Sequence, residues 1–198
     1  NYRLTFDEQL LVYAQRPDAT AVLEIERWNR QFGRWVNRGA NGIAVFDGEH
    51  TGKPRLKYYF DISDTHEARF PRPVPIWTVR EEYAPDIIET LENSFGELEH
   101  KEDLGAALLS AAKNAVEDNM PDYLSELKSL TEGSFLEELD GLNLEVEYRR
   151  AVQNSIGYML LGRCGLDPSE YFEDEDFRDV TDFNTPQTLN ALGVAAGD

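Results

Sequence analysis

Apolar and polar positions alternate in two regimes along this chain. Between residues 4 and 15, in LTFDEQLLVYAQ, Leu10, Leu11 and Ala14 fall on one helical stripe, and Thr5 with Glu8 three residues on forms a capping box. Pro17 forbids continuation and restrains Arg16. TAVLEI (20–25) reads as a short strand, and ERWNRQF as one or two helical turns ended by Gly33. The stretch RWVNRGANGIAVFD then reads as strand, turn and strand, with Asn37, Gly39, Asn41 and Gly42 supplying the turn. DGEHTGKP (47–54) is a polar loop, and RLKYYFDIS (55–63) is a strand rich in aromatic and β-branched residues.

FPRPVPIW (70–77) holds three prolines in eight residues and reads as an extended connector. Beyond it the apolar period becomes helical, over about 83–95, 101–118, 121–130, 133–140, 143–163 and 185–193. The expected fold is therefore α+β. A small helix-plus-sheet module (1–69) is followed by a connector (70–80) and a mainly helical, acidic part (81–198).

Charge sharpens this division. The chain of 198 residues carries 19 Lys and Arg against 38 Asp and Glu, a net charge of −19. Residues 1–80 hold 12 basic and 10 acidic residues, a balance of +2, which leaves 7 and 28, or −21, for residues 81–198. The stretch WNRQFGRWVNRGANGIAVF (28–46) contains no acid at all. No run approaches the roughly 18 apolar residues of a membrane span, so no membrane partner is expected. The single cysteine, Cys164, forms no internal disulfide and suits a reducing cytoplasm, as a small buried apolar residue. The chain begins at Asn1 rather than Met and reads as a fragment of a longer protein or a processed chain.

Enzymatic chemistry is not expected. His50, His66 and His100 are scattered singly, there is no H-E-x-x-H, and DEDFRD lacks the glycine-centred spacing of a calcium loop. GANG lacks the lysine and serine of a phosphate loop, and Ser63, Asp64, Thr65 and His66 are neighbours in sequence without a triad's geometry. No metal or cofactor is implied.

A cationic, aromatic surface is the remaining chemistry. Arg27, Arg30, Arg34 and Arg38 recur every three or four residues with Trp28 and Trp35 between them, and Lys53, Arg55, Lys57, Tyr58 and Tyr59 follow. Guanidinium groups suit phosphate and flat rings suit unstacked bases, which points to single-stranded nucleic acid. Trp28 reads as core, whereas Trp35 fits core or surface. At the other end, EYFEDEDFRDVTDFN (170–184) has seven acids in fifteen residues, and Glu173, Asp174, Glu175, Asp176 and Asp179 form a candidate acidic patch for a protein partner.

Three separated blocks, EQLLVYAQRPDAT (8–20), WNRQFGRWVNRGANGIAVF (28–46) and YFDISDT (59–65), resemble in order and content the N-terminal domain of the ArdC antirestriction family. The resemblance covers about residues 4–70. It implies a module that binds single-stranded DNA on behalf of mobile genetic elements, such as those that encode large DNA-processing proteins of conjugation. The family's metallopeptidase-like helix is missing here, so no peptidase activity is carried over. Asn41 stands where a lysine often precedes the glycine, and Asp64 where glutamine is frequent, which lowers the DNA affinity the resemblance implies. The expected function is antidefence by binding single-stranded DNA. The alternatives are an acidic DNA mimic that binds a restriction enzyme or CRISPR nuclease, and an interaction domain of a conjugation protein.

Overall fold

The computed structural model describes residues 4–47, 55–74 and 79–197. The fold is α+β, and it divides into two compact units, residues 1–76 and 77–198, parting inside the proline-rich connector.

The first unit opens with α1 (Phe6–Gln15). Its capping box is formed as the sequence predicts: Glu8 N–H donates to Thr5 Oγ1, and Thr5 N–H donates to Glu8 Oε2. β1 (Val22–Glu24) leads into a single helical turn, α2 (Ile25–Arg27), and a wider π-type turn (Trp28–Phe32). Then come β2 (Arg34–Val36), β3 (Ile43–Asp47), β4 (Arg55–Asp61), a 3-10 turn (Ile62–Asp64) and β5 (Thr65–Glu67). The strands form two antiparallel sheets, one in the order β1-β4-β3 and one pairing β2 with β5. Alternation directs Val22, Ile43, Val45 and Tyr59 to one face, where they pack with Val12, Leu11 and Leu4 around α1. Gln15 seals the outer edge of β3. Its amide donates to the Ala44 carbonyl and accepts the Ala44 N–H, which satisfies backbone groups that an edge strand otherwise leaves open.

Gly33 ends the π-type turn in the left-handed region, at φ 59°, and a Cβ there would lie 2.7 Å from the Phe70 carbonyl oxygen. The chain beyond β5 runs back along this turn, with Ala68 N–H donating to Gly33 O and Arg72 N–H to Phe32 O. Only glycine meets both demands, on dihedral and on space.

The second unit is helical, with α3 (Ala84–Phe95), α4 (Leu104–Leu127), α5 (Gly141–Cys164) and α6 (Pro186–Gly197), and 3-10 segments between them. The expectation of separate helices at 101–118 and 121–130 is corrected: α4 runs unbroken through Pro121. A mid-helix proline costs about 3 kcal/mol. Val116, Met120, Leu124 and Leu127 on the flanking turns are buried against Leu144, Tyr148 and Val152 of α5, and each such burial returns about 1.5–3 kcal/mol. The helix expected at 133–140 shrinks to a 3-10 turn, Phe135–Glu138. Cys164 is buried beside Leu104, Leu108 and Leu161, and burial pushes its thiol pKa up.

Gly33→Ala should destabilise the first unit by about 2–3 kcal/mol, whereas Gly39→Ala, at φ 88° with open space around it, should cost only about 1 kcal/mol. Denaturant unfolding followed by tryptophan fluorescence measures both, and equal losses would remove the role of the Phe70 contact.

Candidate nucleic-acid interface

The polar chemistry of the turn after β4 proves to be scaffolding. Asp61 is buried, and its carboxylate accepts from Thr20 N–H (2.8 Å), Ala21 N–H (2.9 Å), Ser63 N–H (2.9 Å) and Ser63 Oγ–H (2.6 Å). Burial opposes its ionisation, but the donors from Ser63, Ala21 and Thr20 outweigh burial and hold the pKa below the usual carboxylate range. Asp64 accepts from Arg16 and from the Asp61 N–H, and Arg16 also donates to Ser63 Oγ. Thr65 Oγ1 donates to Ile62 O and His66 Nδ1 meets Asn37 Oδ1 at 2.7 Å. Ser63 and Asp64 thus share Asp61 and Arg16, while Thr65 and His66 turn to Ile62 and Asn37.

The arginines and tryptophans divide by what they touch. Trp28 is 0% exposed, and its indole N–H donates to Phe60 O at 2.8 Å, so it is core. Trp35 is 52% exposed on β2, opposite His66 of β5. Arg34 faces the other way: its Nε donates to Thr65 Oγ1 at 2.7 Å, and its guanidinium pairs with Glu67. Lys57 points to the α1 side of the sheet, pairs with Glu8 at 2.7 Å, and has its pKa raised chiefly by that hydrogen bond. Arg34 and Lys57, candidates for phosphate on sequence grounds, are therefore committed to holding β2 to β5 and α1 to β4. Arg27 is half-buried. Lys53 lies outside the described residues. Arg30, Arg38 and Arg55 are exposed and make no ion pair with any described residue.

The strand register reveals a surface that single residue types did not. Ala44 lies opposite Tyr58, Phe46 opposite Leu56 and Leu23 opposite Phe60, all on the face away from α1. On it Phe46 is 61% exposed, Tyr58 50% and Leu56 about half. Gly42 continues this row, and a Cβ there would stand 3.0 Å from Tyr58 Cβ and 3.2 Å from the Phe60 ring tip. The backbone at Gly42, ahead of β3, thus closes directly against the aromatic face. The alternation of β3, inward at Ile43 and Val45, was the sequence signal for an outward Phe46.

The acidic patch is likewise partly structural. Asp179 is buried and paired with Arg150, so it faces α5 rather than solvent. Asp176 accepts the Glu173 N–H at 2.8 Å, and Glu175 pairs with Arg178. Glu173, Asp174, Glu175 and Asp176 remain exposed along a 3-10 segment, Asp174–Asp182. Glu147 on α5 is partly buried with one carboxylate oxygen unpartnered, and burial, with Asp182 and Asp179, pushes its pKa up. No group of three His, Cys, Asp or Glu among the described residues is placed to hold a metal ion, and no described helix is long and apolar enough to cross a membrane.

Two pH responses of opposite sign follow. The lowered pKa of Asp61 gives stability that is present above the unfolded value of about 3.9 and is lost as the pH falls through the folded value. Asp61→Asn should cost about 2 kcal/mol at pH 7, with the gap to the native protein closing below about pH 4. The raised pKa of Glu147 works in reverse: its ionisation penalty is absent at low pH and grows as the pH rises through the folded value. Glu147→Gln should raise the unfolding midpoint by about 2–4 °C at pH 7 and leave it unchanged near pH 4. Thermal melts of both variants at the two pH values check the signs. Comparison with protein-family models, with curated proteins and with solved structures finds no match to this chain.

Proposed function

We propose that the first unit binds single-stranded nucleic acid, and that it does so as an antidefence module of a mobile genetic element. The observation that carries the reading is the combination of two solvent-exposed arginines without partners among the described residues, Arg30 and Arg38, with the open aromatic face of Phe46 and Tyr58 and the exposed Trp35. Arg55 is exposed too, but strand alternation sets it on the α1 side with Lys57. Stacked bases would lie on the rings, and phosphates would meet the guanidinium groups. A flat, aromatic sheet face suits unstacked bases, because every base offers a π-face and duplex DNA offers none. The resemblance of the three sequence blocks to the ArdC family supports the antidefence setting. The balance of +2 over residues 1–80 is small, so affinity rests on stacking as much as on charge.

Fluorescence anisotropy with a labelled 20-mer single strand, against the same duplex, tests this at low and physiological salt. Tyr58→Ala should weaken single-strand binding by about 5- to 150-fold, the equivalent of 1–3 kcal/mol per stacked base. The double variant Arg30→Ala, Arg38→Ala should lower the slope of log K against log salt by about 1.4, at roughly 0.7 per phosphate contact. Absence of binding at low salt, or binding indifferent to both variants, overturns the reading.

A further inference from the structure

The second unit holds an open depression of about 410 Å³, lined by Tyr158, Phe172, Phe177, Asp167, Glu173 and Asp174 among others. Three aromatic rings meet there as a corner rather than a stack. Tyr158 and Phe177 stand edge-on, with centroids 5.4 Å apart and planes at 88°. Phe172 lies 5.4 Å from Phe177 at 55° and 6.3 Å from Tyr158 at 45°. The corner is built by the chain's own contacts. Gly157 of α5 leaves room for the Phe172 ring, whose tip would stand 3.0 Å from a Cβ at that position. Asn154 donates to Asp176 O at 2.7 Å, and Arg150 pairs with Asp179, so the segment carrying Phe177 is fastened along one face of α5.

We infer that this corner is a binding site for an arginine side chain of a basic protein partner. Ring faces carry negative quadrupole charge and attract a cation, and a guanidinium also stacks on them. Every charged residue lining the depression is acidic. Asp167 is kept ionised by the Ser169 hydroxyl and backbone N–H, which lower its pKa. Asp174 is exposed, and Arg178, the nearest basic residue in sequence, is turned to Glu175. The surrounding balance of −21 over residues 81–198 draws cations in and repels phosphate. The depression is open and Tyr158 is 49% exposed, whereas small-molecule sites bury most of their ligand. One side chain projecting from a larger basic surface fits it. The site is independent of the nucleic-acid reading and lies wholly within the second unit.

Hexaarginine is the probe, titrated into the whole chain and followed by NMR of the aromatic ring protons and by calorimetry. Shifts at Tyr158, Phe172 and Phe177 are expected. Tyr158→Ala and Asp174→Asn should each weaken binding by about 3- to 10-fold, while Asp118→Asn, which removes the same charge from an exposed position on α4, should leave it within twofold. Near-UV circular dichroism confirms that each variant is folded. Equal weakening by Asp118→Asn and Asp174→Asn, with no effect of Tyr158→Ala, would overturn the site and leave a diffuse acidic field. Absence of ring shifts on saturation would overturn it too.

Discussion

A single buried carboxylate organises the first unit. Asp61 ends β4, collects the backbone donors of Thr20 and Ala21 ahead of β1, and closes the 3-10 turn through Ser63. A charge buried without partners costs several kcal/mol, so the donors must arrive together or the strand end cannot be buried. Once they do, the chain is aimed into β5, β5 can pair with β2, and Trp35 is set on the outer side of that ribbon. The same event fixes Phe60, whose carbonyl receives the Trp28 indole. Sheet, ribbon and aromatic core are consequences of where one anion is satisfied.

The three sequence blocks acquire a physical meaning in this light. Gln15 meets Ala44, Arg16 meets Ser63 and Asp64, Thr20 meets Asp61, Trp28 meets Phe60 and Arg34 meets Thr65, so the three blocks touch one another across the fold. They are widely spaced in sequence because each block supplies one side of the same network. The pattern is therefore first a signature of the scaffold. The surface proposed to meet nucleic acid is made by different residues, Arg30, Arg38, Phe46 and Tyr58, interleaved with it.

Local features were legible in the sequence. The capping box of Thr5 and Glu8, a strand ending near Asp47, the strand read at 55–63, which ends at Asp61 in a 3-10 turn, and the break at Gly33 follow from chemistry within a few residues. What was not legible depends on distant partners. Arg34 and Arg38 are alike in sequence, yet one meets Thr65 and Glu67 and the other meets solvent. Lys57 is taken by Glu8, which no local pattern announces. Pro121 reads as a stop until the flanking apolar turns find α5. Asp179 reads as one acid among seven until Arg150 claims it, and the aromatics between those acids form a corner only because α5 runs beneath them.

Cys164 and Trp28 divide between the units in a way that has a use of its own. The only thiol in the chain is buried in the second unit, with its pKa pushed up, and a thiol reagent reacts with it only when that helical core opens. Trp28 is sealed in the first unit, and the share of the emission it adds to that of Trp35 and Trp77 reports the opening of that core. The chain thus carries two native clocks, one chemical and one optical, and their rates read out whether its halves breathe together or apart.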